Sequence, residues 1–217
     1  MSVQVSYKKQ TMLGIIGITI LLLVIEVIAN VWWVTQINCE FEQNEIFQSI
    51  SEEKKRHLCL DFYEIKTSND EIIPNQSTDS ITINALGFRG SDFSEIKPPN
   101  TYRIFMIGGS TMFGAGATSD ETTIPAYLQQ LLNEKNFGFN IEVINSGIQG
   151  ADSNTESNLI ERKLVRFSPD LIIIYDGWND LRASNTPAKL KENWELMCEL
   201  GKENNFDVII TLQPMAG

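Results

Sequence analysis

From Tyr102 onward the chain alternates short apolar runs with helical segments, and this alternation limits the fold more than any other feature. Arg103-Ile104-Phe105-Met106-Ile107 ends in Gly108-Gly109, and Ile141 to Ile144 makes a second run. Leu171-Ile172-Ile173-Ile174-Tyr175 is a third and Val208-Ile209-Ile210 a fourth. Strands that are apolar throughout have two apolar faces, and both must be covered. Between the runs, Ile124, Tyr127, Leu128, Leu131 and Leu132 recur at helical spacing, with Pro125 in the first turn. Ser153-Asn154-Thr155-Glu156 reads as a capping box opening a helix to about Phe167, which Ser168-Pro169 breaks. Thr186-Pro187 starts a third helix carrying Leu190, Trp194 and Met197. The expected fold class is α/β, a three-layer α/β/α arrangement around a parallel sheet.

In such a sheet, ligands bind beyond the carboxyl ends of the strands. Three polar, glycine-containing turns fall there. They are Gly108-Gly109-Ser110-Thr111 after the first run, Asn145-Ser146-Gly147 after the second and Gly177-Trp178-Asn179-Asp180 after the third. One such turn is ordinary, because tight turns need glycine and because Ser and Asn serve as turn and cap residues. Three on one edge of one sheet point to a site.

These turns, with Thr82-Ile83-Asn84-Ala85-Leu86-Gly87-Phe88-Arg89-Gly90 upstream, resemble the SGNH/GDSL hydrolase family of esterases, lipases and acyltransferases over about residues 80–217. The upstream segment is similar to the lead-in of extracellular members. The resemblance implies a flavodoxin-like sheet, a nucleophilic Ser110 and an oxyanion hole built from Ser110, Gly147 and Asn179. It implies neither a cofactor nor a metal. A serine hydroxyl attacks an ester only if a base takes its proton. The tetrahedral intermediate then puts negative charge on the former carbonyl oxygen. The N–H groups of Ser110 and Gly147 and the Asn179 amide are the donors expected to converge on that oxygen, and losing one such donor costs about 2.7–4 kcal/mol.

Two positions depart from the family pattern. Gly109 stands where the family usually has Asp before the nucleophile, and the family's D-x-x-H segment does not occur in the 217 residues. The expectation is therefore a C-terminally incomplete domain, its last strand and helix missing, with at most weak activity. The single histidine, His57, lies in a charged stretch before the sheet and reads as a surface residue. Asp176 and Asp180 lie near the turns, but a carboxylate with a pKa of about 4 is a weak base for this task.

Thr11 to Val34 is apolar over a length that spans a bilayer at 1.5 Å per residue. Lys8 and Lys9 precede it, and Trp32 and Trp33 close it. By the positive-inside rule the N-terminus stays cytoplasmic and the remainder is extracytoplasmic. Glu26, inside the span, costs about 2.5–3.5 kcal/mol on insertion scales unless it reaches the interface or protonates. A signal peptide cleaved after Ala29 is the competing reading, and it exports the rest equally. The expected organisation is a tail over 1–10, a transmembrane helix over 11–34, a membrane-proximal segment over 35–100 and the α/β domain over 101–217.

A net charge of −11 argues against a nucleic-acid partner. Cys39, Cys59 and Cys198 form no C-x-x-C pair, so a structural zinc site is not expected; outside the cell Cys39 and Cys59 could pair. Cys198 reads as core packing in a helix. Gly109 to Gly114 is followed by Ala115-Gly116 and not by Lys-Ser/Thr, so the phosphate-loop lysine is missing. The expected function is a membrane-anchored extracytoplasmic esterase or acyltransferase, with residues 11–34 in the membrane. Its substrate is a small-molecule or carbohydrate ester. The alternative is a non-catalytic envelope binding or scaffold protein on a degenerate SGNH domain. The oligomeric state is not encoded in any of these features.

Overall fold

A computed structural model of the chain describes residues 6–36, 47–135, 137–183 and 185–213. The chain divides into two compact units, residues 1–47 and 48–217.

The first unit holds helix α1, Tyr7–Gln36. Its polar side chains find acceptors within the helix: Thr11 donates to the Tyr7 carbonyl, Thr19 to Ile15 and Asn30 to Glu26. Its large apolar side chains, from Met12 to Trp33, are exposed. Over Tyr7–Trp33 the helix is long and apolar enough to cross a membrane, and a signal sequence has the same two properties.

The second unit opens with α2, Glu52–Glu64, capped by the Ser51 hydroxyl, which accepts from the Lys54 N–H. Two small antiparallel pairs follow, β1 (Thr67–Ser68) with β2 (Glu71–Ile72) and β3 (Gln76–Ser77) with β4 (Thr82–Ile83). The remaining elements alternate. They are β5 (Thr101–Gly108), α3 (Ser110–Phe113), α4 (Ile124–Asn133), β6 (Asn140–Asn145), α5 (Ser153–Leu159), β7 (Leu171–Asp176), α6 (Trp178–Arg182), α7 (Pro187–Asn204) and β8 (Asp207–Leu212). The four long strands form a parallel sheet in the order β6-β5-β7-β8, so the chain reverses direction of travel at β5.

Side chains alternate across β5, as the pleat requires. Phe105 and Ile107 join the larger core, with Ile160, Leu164, Phe167 and Met197 from the helical side and Phe62 and Phe88 from the preceding segment. Ile104 and Met106 face the other way, against Leu128 and Leu132 of α4. Both faces are covered and the expected α/β class is met. Truncating a fully buried residue such as Ile172 in this sheet costs about 2–5 kcal/mol.

Arg103, read as the start of an apolar run, is wholly buried and charged. Its guanidinium pairs with Glu142 at 2.8 Å and donates to the carbonyls of Ser94 and Phe167. These three and the Glu95 carbonyl, which accepts at 3.3 Å, offset its desolvation and pin the 94–95 segment to the sheet. The capping box at Ser153 is corrected. Asp152 is the N-cap, accepting from the Thr155 N–H, while Ser153 turns its hydroxyl to Asp180 and Glu156 is buried. The helix leaves α geometry after Leu159, passes through a π turn over Ile160–Leu164 and ends at Ser168 in a left-handed conformation. Cys59 is disulfide-bonded and Cys198 is a half-buried free thiol; Cys39 lies outside the described residues.

The outer edge of β6 is closed. The Gln129 amide accepts from the Val143 N–H at 2.7 Å and donates to the Ile141 carbonyl at 3.0 Å, as a neighbouring strand does. Farther along, the Arg89 backbone bridges to Asn145. Among the described residues nothing pairs with the outer edge of β8, where Ile209 is 47% and Leu212 64% exposed.

Candidate active site

The strand order puts β5 between β6 and β7, so the turns leaving these three strands are neighbours at one rim. Gly109 caps α3, which starts at Ser110. The β6 turn is tied to β5 by backbone bonds from Ser146 N–H to Met106 C=O and from Ile148 N–H to Gly108 C=O, both 2.9 Å.

Two glycines let the turns close on one another. A Cβ at Gly147 would lie 2.2 Å from the Phe113 nitrogen and 2.6 Å from its Cα, so only glycine lets the second turn pack onto α3. A Cβ at Gly109 would lie 2.2 Å from Asn179 Nδ2. Gly109, a departure from the family pattern in the sequence, thus admits the Asn179 amide beside the Ser110 turn. Of the residues assigned from three separate stretches, Asn179 lies against Gly109, the neighbour of Ser110, and Gly147 lies against Met112 and Phe113 at the other end of α3.

Their hydrogen-bonding groups are partly engaged. Asn179 Nδ2 donates to the Ala151 carbonyl at 2.6 Å, which uses one of its two hydrogens. The Gly147 N–H is held by Asn145 Oδ1 at 3.0 Å. Gln213 Nε2, just past β8, donates to the Thr111 hydroxyl at 3.1 Å. His57 lies elsewhere, in a cleft lined by Ser51, Lys54, Asp61, Asp79, Ser80 and Thr118. Among the described residues no cluster of His, Cys, Asp and Glu is arranged to hold a metal ion.

Beneath Asn179 is a buried acidic network. Asp180 accepts from the Ser153 N–H at 3.0 Å, the Ser153 hydroxyl at 2.5 Å and Asn185 Nδ2 at 2.9 Å. Asp176 accepts from the Gly177 N–H at 2.5 Å and from the Trp194 indole at 3.0 Å. Glu156 is completely buried and no described residue donates to its carboxyl oxygens. Burial, followed by the charges of Asp176, Asp180 and Asp152, raises the Glu156 pKa well above the usual carboxylate range, so it is a neutral acid. Burial and then the hydrogen bond to Asp180 raise Asp176 to about 6, against the opposing bonds from Trp194 and Gly177. Burial also pushes Asp180 upward, but the bonds from Ser153, Asp176 and Asn185 outweigh it and its pKa falls below the ordinary value.

The sequence model of the GDSL-like Lipase/Acylhydrolase family matches residues 106–217, just over half of the chain. The chain belongs to this family. Among solved structures it is similar to a lipolytic protein of the G-D-S-L family from Desulfitobacterium hafniense DCB-2, with 22% identity over 53% of this chain and 62% of that one and a TM-score of 0.46. AlinE4, an SGNH-hydrolase family esterase, is 23% identical over 52% and 60% of the two chains, with a TM-score of 0.45. Axe2, an acetylxylan esterase from Geobacillus stearothermophilus, is 19% identical over 50% and 58%, with a TM-score of 0.42. The chain thus spans about three fifths of the length of the solved structures it matches. No curated protein matches it.

Three contributors escaped sequence reasoning: Asn145, Arg89 and Glu156. The first two were visible as polar residues inside quoted motifs. Glu156, quoted as the last residue of a capping box, gave no hint of its burial beside Asp176 and Asp180, which arrive from 20 or more residues away.

Proposed function

We propose that this chain carries the nucleophile and oxyanion hole of a membrane-tethered, extracytoplasmic SGNH-type serine esterase or acyltransferase. The observation that carries the reading is the meeting of Gly109, the residue before Ser110, with Asn179, and of the helix that Ser110 begins with Gly147 at its Met112–Phe113 end. In the proposed reaction Ser110 Oγ attacks the ester carbonyl carbon, its proton passes to a base, and the carbonyl oxygen becomes an oxyanion. The Ser110 N–H, the Gly147 N–H and the second hydrogen of Asn179 Nδ2 are its donors. Collapse expels the alcohol, which takes the proton, and leaves an acyl-serine. Water or a sugar hydroxyl then removes the acyl group.

The base is an imidazole in family members with D-x-x-H, and the only one in these 217 residues is His57, in its separate cleft. Oxyanion stabilisation and binding alone still give about 10³–10⁴-fold rate enhancement when a triad member is removed. Slow, Ser110-dependent turnover is therefore the expectation for this chain. A carbohydrate ester at the cell envelope suits the proposed location, with Lys8 and Lys9 on the cytoplasmic side of α1. The engagement of the Gly147 N–H by Asn145 and of Asn179 Nδ2 by Ala151 favours one other reading, a non-catalytic envelope protein that binds esters without cleaving them.

Hydrolysis of p-nitrophenyl acetate by the full chain in detergent micelles separates the two. The esterase reading expects a low rate that Ser110→Ala abolishes. A rate that Ser110→Ala leaves undiminished removes Ser110 as nucleophile, and no rate at all favours the binding protein.

A further inference from the structure

Glu26 is the one charged side chain between Thr11 and Val34, and the proposed reaction has no use for it. The side-chain hydrogen bonds of α1 go to backbone carbonyls: Asn30 Nδ2 donates to the Glu26 carbonyl at 2.9 Å and Thr19 Oγ1 to the Ile15 carbonyl, also at 2.9 Å. Neither reaches the Glu26 carboxyl. Lys9 and Lys8, the cations of the helix, lie 17 and 18 residues away. Glu26 stands eight residues inside Val34, about 12 Å at 1.5 Å per residue, where lipid offers no hydrogen bond.

The polar residues of the span share one face. Apart from the indoles of Trp32 and Trp33, its polar side chains are Thr11, Thr19, Glu26 and Asn30. At 100° per residue all four fall within about 60° of Glu26. The opposite face, with Leu13, Ile20, Val24 and Val31, is apolar and exposed. Thr19, Glu26 and Trp33 recur every seven residues, and Ile15, Leu22 and Ala29 fit between them at alternating steps of four and three. That is the spacing of a two-helix seam, in which a polar residue at the a position fixes register.

We propose that this stripe pairs α1 with α1 of a second copy of the chain, parallel and across a two-fold axis. The proposal rests on the membrane-tethered reading above. Copies that cross the membrane in one direction carry Glu26 and Asn30 at the same depth. The groups are self-complementary there. Asn30 Nδ2 gives one hydrogen to its own helix and keeps the other for the Glu26 carboxyl of the second copy, and the two-fold axis makes that contact twice. A helix bearing lysine or arginine answers Glu26 alone, whereas a second copy answers Asn30 as well. Interhelical polar contacts are worth a factor of about 3 to 30 each, so losing both is expected to weaken the dimer about 10- to 100-fold.

The test is sedimentation equilibrium of the full chain, purified from membranes into density-matched detergent micelles, after its intact mass has been read. The expected result is a monomer–dimer equilibrium. Its dissociation constant is expected to rise about 10- to 100-fold in Glu26→Leu and in Asn30→Leu. Glu26→Gln, whose amide oxygen still accepts from Asn30, is expected to change it little. In a Cys198→Ser background, Leu22→Cys on the seam is expected to cross-link under mild oxidation, and Val24→Cys on the opposite face is not. A chain that is monomeric at every loading concentration overturns the proposal. So does a dimer whose constant is unchanged in Glu26→Leu, because its contacts then lie outside the stripe. Equal cross-linking at the two positions overturns it too. A monomer that binds instead a synthetic polyleucine helix with one central arginine gives the stripe to a cationic partner and overturns the pairing of copies. In all four outcomes the tether reading stands. A mass that shows cleavage after Ala29 ends the tether reading and the proposal together.

Discussion

The turn that carries Gly147 and the turn that carries Asn179 approach Ser110 from opposite sides and are held by different chemistry. On the β6 side the supports are the Asn145 amide, the Arg89 guanidinium and the Asp120 carboxylate paired with it. On the β7 side the turn rests on Asp176, Asp180 and Glu156, three buried carboxyls, of which burial pushes Glu156 and Asp176 towards the protonated form. The sheet edges repeat the contrast, since β6 is closed by Gln129 and β8 is open. One donor of the proposed site is therefore fixed by packing and an arginine ion pair, and the other by a titratable foundation.

The largest expected effect is on the tightly packed side. Gly147→Ala drives a Cβ into the backbone of Phe113, which cannot move without α3. A loss of about 3 kcal/mol, the upper end for overpacking, is expected in urea unfolding of the full chain. A loss below about 1 kcal/mol means that the β6 turn is not seated on α3 as described.

The second prediction concerns pH on the other side. An unfolded carboxyl ionises near pH 4, whereas Glu156 and Asp176 keep their protons above that in the fold. Unfolding then releases protons, so stability falls as pH rises from near 4 through about 6, the Asp176 value, and beyond for Glu156. Asp180 has the opposite sign: its depressed pKa contributes stability above pH 4 that is lost on acidification. Between pH 5 and 8 the raised groups decide, and the Tm is expected to be on the order of 3 °C higher at pH 5 than at pH 8. Glu156→Gln, a neutral substitute of the same shape, should flatten that slope. A Tm that climbs towards pH 8, or a slope untouched by Glu156→Gln, breaks the contrast between the two sides.

The smallest effects belong to the edges. Gln129→Ala frees one N–H and one C=O on β6 and should cost about 1 kcal/mol in the same unfolding measurement. Ile209→Lys on β8 replaces an exposed side chain, so it should change stability by less than about 0.5 kcal/mol. Light scattering should show more self-association for the first variant and less for the second. Equal behaviour of the two would mean that β8 is not the weaker edge.

Much of this was legible in the sequence because it depends on neighbours along the chain. The four strands, the Pro125 helix start and the Thr186 cap of α7 follow from apolar runs and local capping chemistry. The three turns at the strand ends were legible for the same reason. Asp152 displaced Ser153 as the cap because Asp180, 27 residues later in the chain, takes the serine hydroxyl. Arg103 looked like the border of a strand, yet its partners come from Ser94, Glu142 and Phe167. Helix α6 is only one turn long, too short for periodicity to register. Where a side chain answered to a distant segment, pattern alone assigned the wrong role or none.

Trp194 donates its indole N–H to the carboxyl that titrates near 6, and its ring packs against the main core. The emission of that indole is thus an intrinsic optical gauge of the proton under Asn179. With Trp32, Trp33 and Trp178 each replaced by Phe, it can be followed by fluorescence with no added dye and no substrate.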